Sequence, residues 1–409
     1  MDMAAALDGI VVLDMSRILA GPWCGQVLAD LGATVIKVER PGGGDDTRTW
    51  GPPFLKDEEG NDTAEAAYYL GANRGKQSIT LNISTPEGEA IINELASRAD
   101  ILIENYKMGG LKKYGLDYDS LKTDNPGLIY CSITGFGQTG PYAPRAGYDF
   151  VIQGLCGFMS ITGERDDLPG GGPQKAGVAI TDLTTGLYST IAILAALQHR
   201  NNTGEGQYID MALADSAVAL MANMNMNYLT SGVPPKRYGN AHPNLLPYQV
   251  FDTADDPIII AIGNDGQFRR WCELAGTPEL ADDERFVTNP QRIRHRDELI
   301  PLVIDLMKTQ PRAWWVENLE KLGVPYGVVN NFQQVFEDPQ VQARGMKFEM
   351  DHPTAGTVPM VRSPVNLEVS PPVYTRPPPT LGQHTDDVLR DILGKSDDEI
   401  AALKEAGVV

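Results

Sequence analysis

Basic residues are scarce in this sequence. It has 34 Lys and Arg against 54 Asp and Glu, a formal charge of −20 over 409 residues. A surface of that sign repels nucleic acid, which needs a basic footprint to displace counterions. A polyanionic ligand would require a local basic pocket. Cysteine is scarce as well: Cys24, Cys131, Cys156 and Cys272 lie far apart and form no CxxC pair. Neither a disulfide framework nor a zinc cluster is expected. The plain reading is four buried or incidental thiols in a reducing compartment, with a cysteine nucleophile as the remaining option. No run of eighteen or more apolar residues is present, so no membrane span is expected. The opening MDMAAALDGIVVLD carries Asp2 and Asp8 and no basic residue before its apolar stretch, the reverse of a secretory leader. The expected location is the cytoplasm, or the mitochondrial matrix in a eukaryote. After the first apolar run stands LAGPWCGQ rather than GxGxxG, which removes the main support for NAD or FAD. Walker A, HExxH, GxSxG and the kinase signatures are also missing. No metal and no cofactor is expected.

What is present alternates between strand-like and helix-like segments, the pattern of an α/β fold with parallel strands. Apolar runs at Ile10–Ser16, Ala33–Arg40, Gln77–Ile83, Asp100–Asn105 and Gly127–Gly137 read as strands buried on both faces, as in a Rossmann-like sheet. PEGEAIINELASRAD reads as an amphipathic helix, and a longer one runs from Asp182 to about Arg200. QYIDMALADS starts another strand. The Pro/Gly-rich SGVPPKRYGNAHPN marks a boundary. The expected organisation is a large domain over 1–225, a smaller α/β domain over 226–325, and a C-terminal segment, 326–409, returning to the large domain. Its PPVYTRPPPTLGQHTDD, short of N–H donors, reads as a strap across the surface.

Asp182 falls where the loop GVAIT meets the long helix. A carboxylate there accepts hydrogen bonds from free N–H groups and is favoured in its charged form by the helix dipole. On pattern alone it is an N-cap. Basic residues also collect at strand ends: Lys37 and Arg40, Arg74 and Lys76, then Lys107, Lys112 and Lys113. In open α/β sheets ligands gather beyond the carboxyl ends of the strands, where such groups would neutralise phosphates.

Long stretches carry a resemblance: LAGPWCGQVLADLGATVIKVERPGGGDDTR, NRGKQSITLN, ILIENYKMGGLKKYGL, ITGFGQTGPYAPRAGYDF, GVAITDLTTGLYSTIAILAAL and GVPYGVVNN. They resemble class III CoA-transferases, the CaiB/BaiF group, in order and essentially end to end. Within the group the chain is most similar to succinyl-CoA:glutarate CoA-transferases, through KRYGNAHPNLLPYQVF, EMDHPTAG and RPPPTLGQHT. The resemblance implies an acyl-CoA and a free carboxylic acid as substrates, CoA itself being part of the substrate. It also implies an interlocked homodimer, and Asp182 as a nucleophile that forms first a mixed anhydride and then an aspartyl-CoA thioester. It further implies CoA contacts from Arg40 (adenine or ribose phosphate), Lys76 and Lys113 (phosphates), Asn105, Tyr106, Leu19 and Ala20.

Two departures bear on the substrate. Leu19 stands where formyl-CoA transferases have Gln, which suits a longer aliphatic acid than oxalate or formate. Gly263-Asn264-Asp265-Gly266-Gln267 stands where they carry consecutive glycines, which weakens the expectation of a mobile flap. Tyr148-Asp149 stands where the related α-methylacyl-CoA racemases place His-Asp. A phenol of ordinary pKa about 10 is a poor base, so racemisation is the weaker alternative. Intramolecular CoA migration within one dicarboxylate and non-catalytic acyl-CoA binding are the others. Tyr148, Asp149, His242 and Arg17 are candidate contacts to the acid substrate. Arg17, Arg48, Arg145 and Arg237 are available to hold a distal carboxylate.

Overall fold

A computed structural model of the chain describes residues 5–409, so Asp2 lies outside the described residues. The chain forms two compact units. One takes in the residues up to Phe158, then Ala176–Gly232 and Gln340–Val409; the other is Met159–Lys175 with Val233–Pro339. These bounds differ from the expected ones. The second unit runs from Val233 to Pro339 rather than 226–325, and it includes Met159–Lys175, a Gly-rich segment whose local pattern does not announce its membership.

The first unit is built on six parallel strands: β1 (Val11–Asp14), β2 (Thr34–Glu39), β3 (Lys76–Thr80), β4 (Ile101–Glu104), β5 (Ile129–Thr134) and β6 (Tyr208–Ala212). Their order is β3-β2-β1-β4-β5-β6. The winding direction therefore reverses between β1 and β4, which opens a crevice at their carboxyl ends. Alternation along the strands splits the core in two. Val12, Val35, Ile101, Ile103, Ile129 and Cys131 pack beneath α1 (Ala20–Asp30) and α4 (Ile180–Thr203). Leu13, Ile36, Leu102 and Tyr130 pack on the opposite side with α2 (Pro86–Arg98) and the C-terminal Leu389, Ile400 and Val408. Helix α2 starts because Thr85 accepts the Gly88 N–H at 3.1 Å, Pro86 sits at the first position, and Glu87 and Glu89 face the positive end of the dipole. α3 spans Asp149–Leu155, and QYIDMALADS is strand only as far as Ala212, becoming α5 (Leu213–Leu220) from Leu213.

Helix α4 is long and apolar enough to cross a membrane by length and composition alone. Its Thr181, Thr185, Ser189, Thr190, Ile193 and Leu197 are nevertheless buried, as in the core helix of a globular protein. It approaches α1 closely at Gly186. A Cβ there would stand 2.6 Å from the Ala20 carbonyl oxygen and 3.1 Å from the Trp23 ring.

β3 is a sheet edge, and the Pro-rich C-terminal strap covers it. Gly75 N–H donates to the Arg376 carbonyl at 2.9 Å, Ser78 N–H to His384 Nδ1 at 3.2 Å, and Thr80 N–H to Thr385 Oγ1 at 3.0 Å. Capping an edge in this way removes a template for pairing with another chain.

The second unit holds a three-stranded antiparallel sheet of β7 (Tyr248–Phe251), β8 (Ile258–Ala261) and β9 (Tyr326–Gly327). Around it pack α6 (Asp265–Leu274), α7 (Arg296–Met307) and α8 (Arg312–Leu322). Trp271 and Trp315 stack at 6.4 Å in its centre, and the Trp315 indole donates to the Met307 carbonyl at 2.9 Å. Asn264 caps α6 by accepting the Gln267 N–H at 2.9 Å, so the segment at the glycine-run position is the anchored start of a helix.

Substituting Gly186→Ala forces a methyl group against backbone that has no room to yield. A loss of about 1–3 kcal/mol in unfolding free energy is expected, measurable by denaturant titration.

Candidate active site

The crevice beyond β1 and β4 rests on buried charge. Asp14, the last residue of β1, accepts from Lys76 Nζ at 2.9 Å, and both side chains are wholly buried. Lys76 Nζ also donates to the Pro22 carbonyl at 2.8 Å and to Asn73 Oδ1 at 2.9 Å. Lys37, equally buried, pairs with Asp45 at 2.9 Å and donates to the Ser16 carbonyl at 3.0 Å. Burial alone would raise the Asp14 carboxyl; the ammonium groups of Lys76 and Lys37 outweigh it and hold it below the ordinary range. Burial likewise opposes ionisation of Asp45, but Lys37 and the Thr47 N–H and hydroxyl bring it to about 2. Helix α1 lies directly over this lattice because its glycines permit it: a Cβ on Gly25 would be 2.8 Å from Asp14 Oδ2.

Above the lattice the β1–α1 turn is strained and clamped. Ile18 has φ 72°, an uncommon conformation for a β-branched residue. Its N–H points between the two Asp45 oxygens at 3.2 Å each. Asn105, just after β4, accepts the Arg17 N–H at 2.9 Å and donates to the Arg17 carbonyl at 2.7 Å. Both sides of the switch point are thereby tied together, and Leu19 and Ala20 open α1 beside them.

The first turn of α4 comes to this place through the Gly186–Ala20 contact. Asp182 is its third residue, not its cap; Ala179 holds the cap position and has no side-chain acceptor. The capping is done from another helix. Asp149 Oδ1 accepts the Thr181 N–H at 2.8 Å and the Thr181 hydroxyl at 2.6 Å. Gln153, one turn along α3 and fully buried, donates to Asp149 Oδ2 at 2.6 Å and accepts the Ala176 N–H at 2.9 Å. Asp182 itself is partly buried and accepts no hydrogen bond. Burial, then the charge of Asp149, pushes its carboxyl up to about 7. This differs from the expectation that the helix terminus holds Asp182 charged: the Thr181 N–H goes to Asp149 and the Ile180 N–H to the Val178 carbonyl. Tyr68 stands nearby; burial, then the charges of Asp182, Asp149 and Asp45, push its phenol up.

The remaining expected residues divide. Lys76 is corrected: enclosed by Asp14, Pro22 and Asn73, it cannot reach a phosphate, and its role is in the fold. Asn105 acts through the Arg17 backbone. Arg40 is largely exposed, 3.9 Å from Asp46, and Lys113 is exposed with its ammonium over the Tyr114 ring. Tyr106 walls a cavity of about 470 Å³ with Tyr118, Tyr130 and Tyr208. Burial pushes Glu104, on the same wall, up to about 7. Tyr148 is 61% exposed. Arg17 pairs with Asp46 at 2.8 Å on the surface.

Of the arginines named for a distal carboxylate, Arg48 is buried between Glu39, Glu65 and Tyr69. Arg237 is engaged by Asp166 and the Ser160 and Glu164 carbonyls. Arg145 lies over the Tyr142 ring at 4.6 Å. His242 belongs to the second unit. It accepts the Asn244 N–H at 3.0 Å, and burial followed by Arg296 lowers its pKa. The thiols are unreactive in character: burial pushes Cys24 and Cys272 up to about 12. Among the described residues no cluster of His, Cys, Asp and Glu could hold a metal ion. Sequence reasoning missed Asp45, Tyr68, Gln153 and Thr181. DDTR and GYDFVIQG carried two of them, but only the fold brings them to the site.

Comparison with known proteins gives consistent matches. The family model described as CoA-transferase family III matches residues 7–385. A succinate–glutarate CoA-transferase of Agrobacterium fabrum is 53% identical over 94% of this chain and 95% of that protein. A human succinyl-CoA:glutarate CoA-transferase is 45% identical over 98% of this chain and 90% of that protein. A crystal structure of a CaiB/BaiF family protein from Brucella suis, 52% identical, superposes with a TM-score of 0.82 over 95% of this chain and 99% of that one.

Because Lys76 neutralises Asp14 inside the protein, Lys76→Ala leaves an unpaired buried carboxylate. A stability loss of about 3–5 kcal/mol is expected in denaturant titration.

Proposed function

The chain belongs to CoA-transferase family III, and we propose that it transfers CoA from succinyl-CoA to glutarate with Asp182 as the covalent carrier. The observation that carries this reading is Asp182 itself: a carboxyl with no hydrogen-bond partner, on the first turn of the helix seated against α1 at the crevice. The substrate pair comes from the relatives named for it. In the proposed sequence the Asp182 carboxylate attacks the succinyl thioester carbonyl and CoA leaves as a thiolate, giving a succinyl–aspartyl anhydride. The thiolate then attacks the aspartyl carbonyl, succinate departs, and an aspartyl-CoA thioester remains. Glutarate carboxylate attacks that thioester, and the released thiolate takes the glutaryl group, restoring Asp182. Each step exchanges one activated acyl group for another, so no outside energy is needed.

Arg40 and Lys113 are the proposed phosphate contacts, being charged and exposed, with Arg40 only loosely paired to Asp46 at 3.9 Å. Leu19, Ala20 and Tyr106 are proposed to line the path of the pantetheine arm. Arg17 and Arg145 remain as partners for the distal carboxylate. No cofactor is called for, since CoA enters with the substrate. The proposed assembly is a homodimer. Leu187, Tyr188, Ile191 and Leu194 of α4 and Phe150, Val151 and Leu155 of α3 are exposed, apolar side chains of the kind a partner chain would cover. Reduced thiols fit the proposed cytoplasmic or mitochondrial-matrix location.

With succinyl-CoA and glutarate, mass spectrometry should find glutaryl-CoA made by the wild type and not by Asp182→Ala. Equal product from both rules Asp182 out as the carrier. Arg40→Ala should raise the KM for succinyl-CoA about tenfold with kcat unchanged. Because Asp182 must be ionised to attack and is held near 7, kcat/KM should fall as pH drops below about 7.

A further inference from the structure

Two acids share the start of α4, and they are placed differently. Asp149 accepts three hydrogen bonds, two from Thr181 and one from Gln153. Asp182, one residue further along α4 than Thr181, accepts none. The Asp149 arrangement is itself braced. Gln153 and Thr181 are both fully buried, and Gln153 grips the Ala176 N–H on the segment leading into α4. The backbone before Tyr148 is fixed as well. Gly147 crosses Gly135, the residue after β5, so closely that a Cβ on either would stand 2.6 Å from the other's Cα. The backbone leading into Asp149 is thus packed directly against the exit loop of β5.

We propose that Asp149 is a positioning residue: by taking the Thr181 donors and standing as a second acid beside Asp182, it leaves the Asp182 carboxylate without protein hydrogen-bond donors and reactive. The inference rests on Asp182 being the nucleophile. A carboxylate that donates electron density to several N–H groups is stabilised in the ground state and must shed those bonds to attack; one without them has less to lose. Removing the hydrogen bonds from Asp182 and placing a like charge beside it both favour its protonated form. Burial is the larger cause and Asp149 the second. The titratable groups facing Asp182 are Asp149 from α3 and Tyr68 from the segment before β3. Neither acid has an ion-pair partner among the described residues. Asp149 is thus reassigned from an acid-substrate contact to a support of the nucleophile.

The two functions of Asp149, geometry and charge, can be separated. Asp149→Asn retains an acceptor for Thr181 and loses the charge. Thr181→Val loses one hydrogen bond and keeps the charge. In assays with succinyl-CoA and glutarate, the acid limb of kcat/KM should move down by about one pH unit in Asp149→Asn. In Thr181→Val it should stay in place while kcat drops about tenfold. A purely structural role for Asp149 would lower activity at all pH values and leave the limb where it is. Intact-mass measurement of the enzyme after mixing with succinyl-CoA alone separates the layers of the argument. If the wild type shows no adduct that Asp182→Ala abolishes, the nucleophile reading fails and this inference with it. If the adduct forms but Asp149→Asn titrates like the wild type, the inference alone is overturned. Should Asp149→Asn not fold, an unchanged kcat in Thr181→Val overturns it equally.

Discussion

The site depends on a lattice of opposite charges sealed under the β1–α1 turn. Asp14 and Lys76, then Lys37 and Asp45, are wholly buried and mutually satisfied. Buried ion pairs seldom add net stability over a well-packed apolar alternative, because desolvation consumes the Coulombic gain. What this lattice supplies is position. Asp45 receives the Ile18 N–H and so holds a residue in a conformation it would not adopt alone. Lys37 holds the Ser16 carbonyl one step earlier. The entry angle of α1 follows from that turn, the seat of α4 follows from α1, and the place of Asp182 follows from α4.

A second consequence concerns how the protein treats a helix terminus. The usual economy places the functional acid at the cap, where free N–H groups stabilise its charge. Here the cap is outsourced to Asp149 on another helix. The acid proposed for chemistry stands one residue further on, short of partners. Stabilising a reactive carboxylate and keeping it reactive are opposing demands, and the proposed division between two residues would meet both.

Much of the architecture was legible from the amino-acid order. Strands buried on both faces read as apolar runs, and all five of the first runs are strands of the sheet. Asp182 stood out in the sequence because its loop-to-helix position and its long flanking motif coincide. What failed did so for a physical reason in each case. Lys76 looks like a phosphate ligand because sequence shows its charge and not the Asp14 carboxylate 62 positions away that neutralises it. Asp182 looks like a cap because the true cap, Asp149, is 32 positions upstream of Thr181. Met159–Lys175 looks like a loop within the first domain, since membership in a compact unit is decided by tertiary packing and leaves no local mark.

The strap along β3 bears on how this chain is made. Its anchors, Arg376, Gly382, His384 and Thr385, lie some three hundred positions after the strand they cover. During synthesis the sheet edge emerges early and stays uncovered while the rest of the chain is added, since domains generally begin folding from the N-terminal side. An open edge over that interval is a template for association with other nascent chains. The final stretch of translation, which also brings Leu389, Ile400 and Val408 to one side of the sheet's core, is therefore what ends the chain's exposure to misassembly, and a ribosome that stops short leaves both that core face and the sheet edge uncovered.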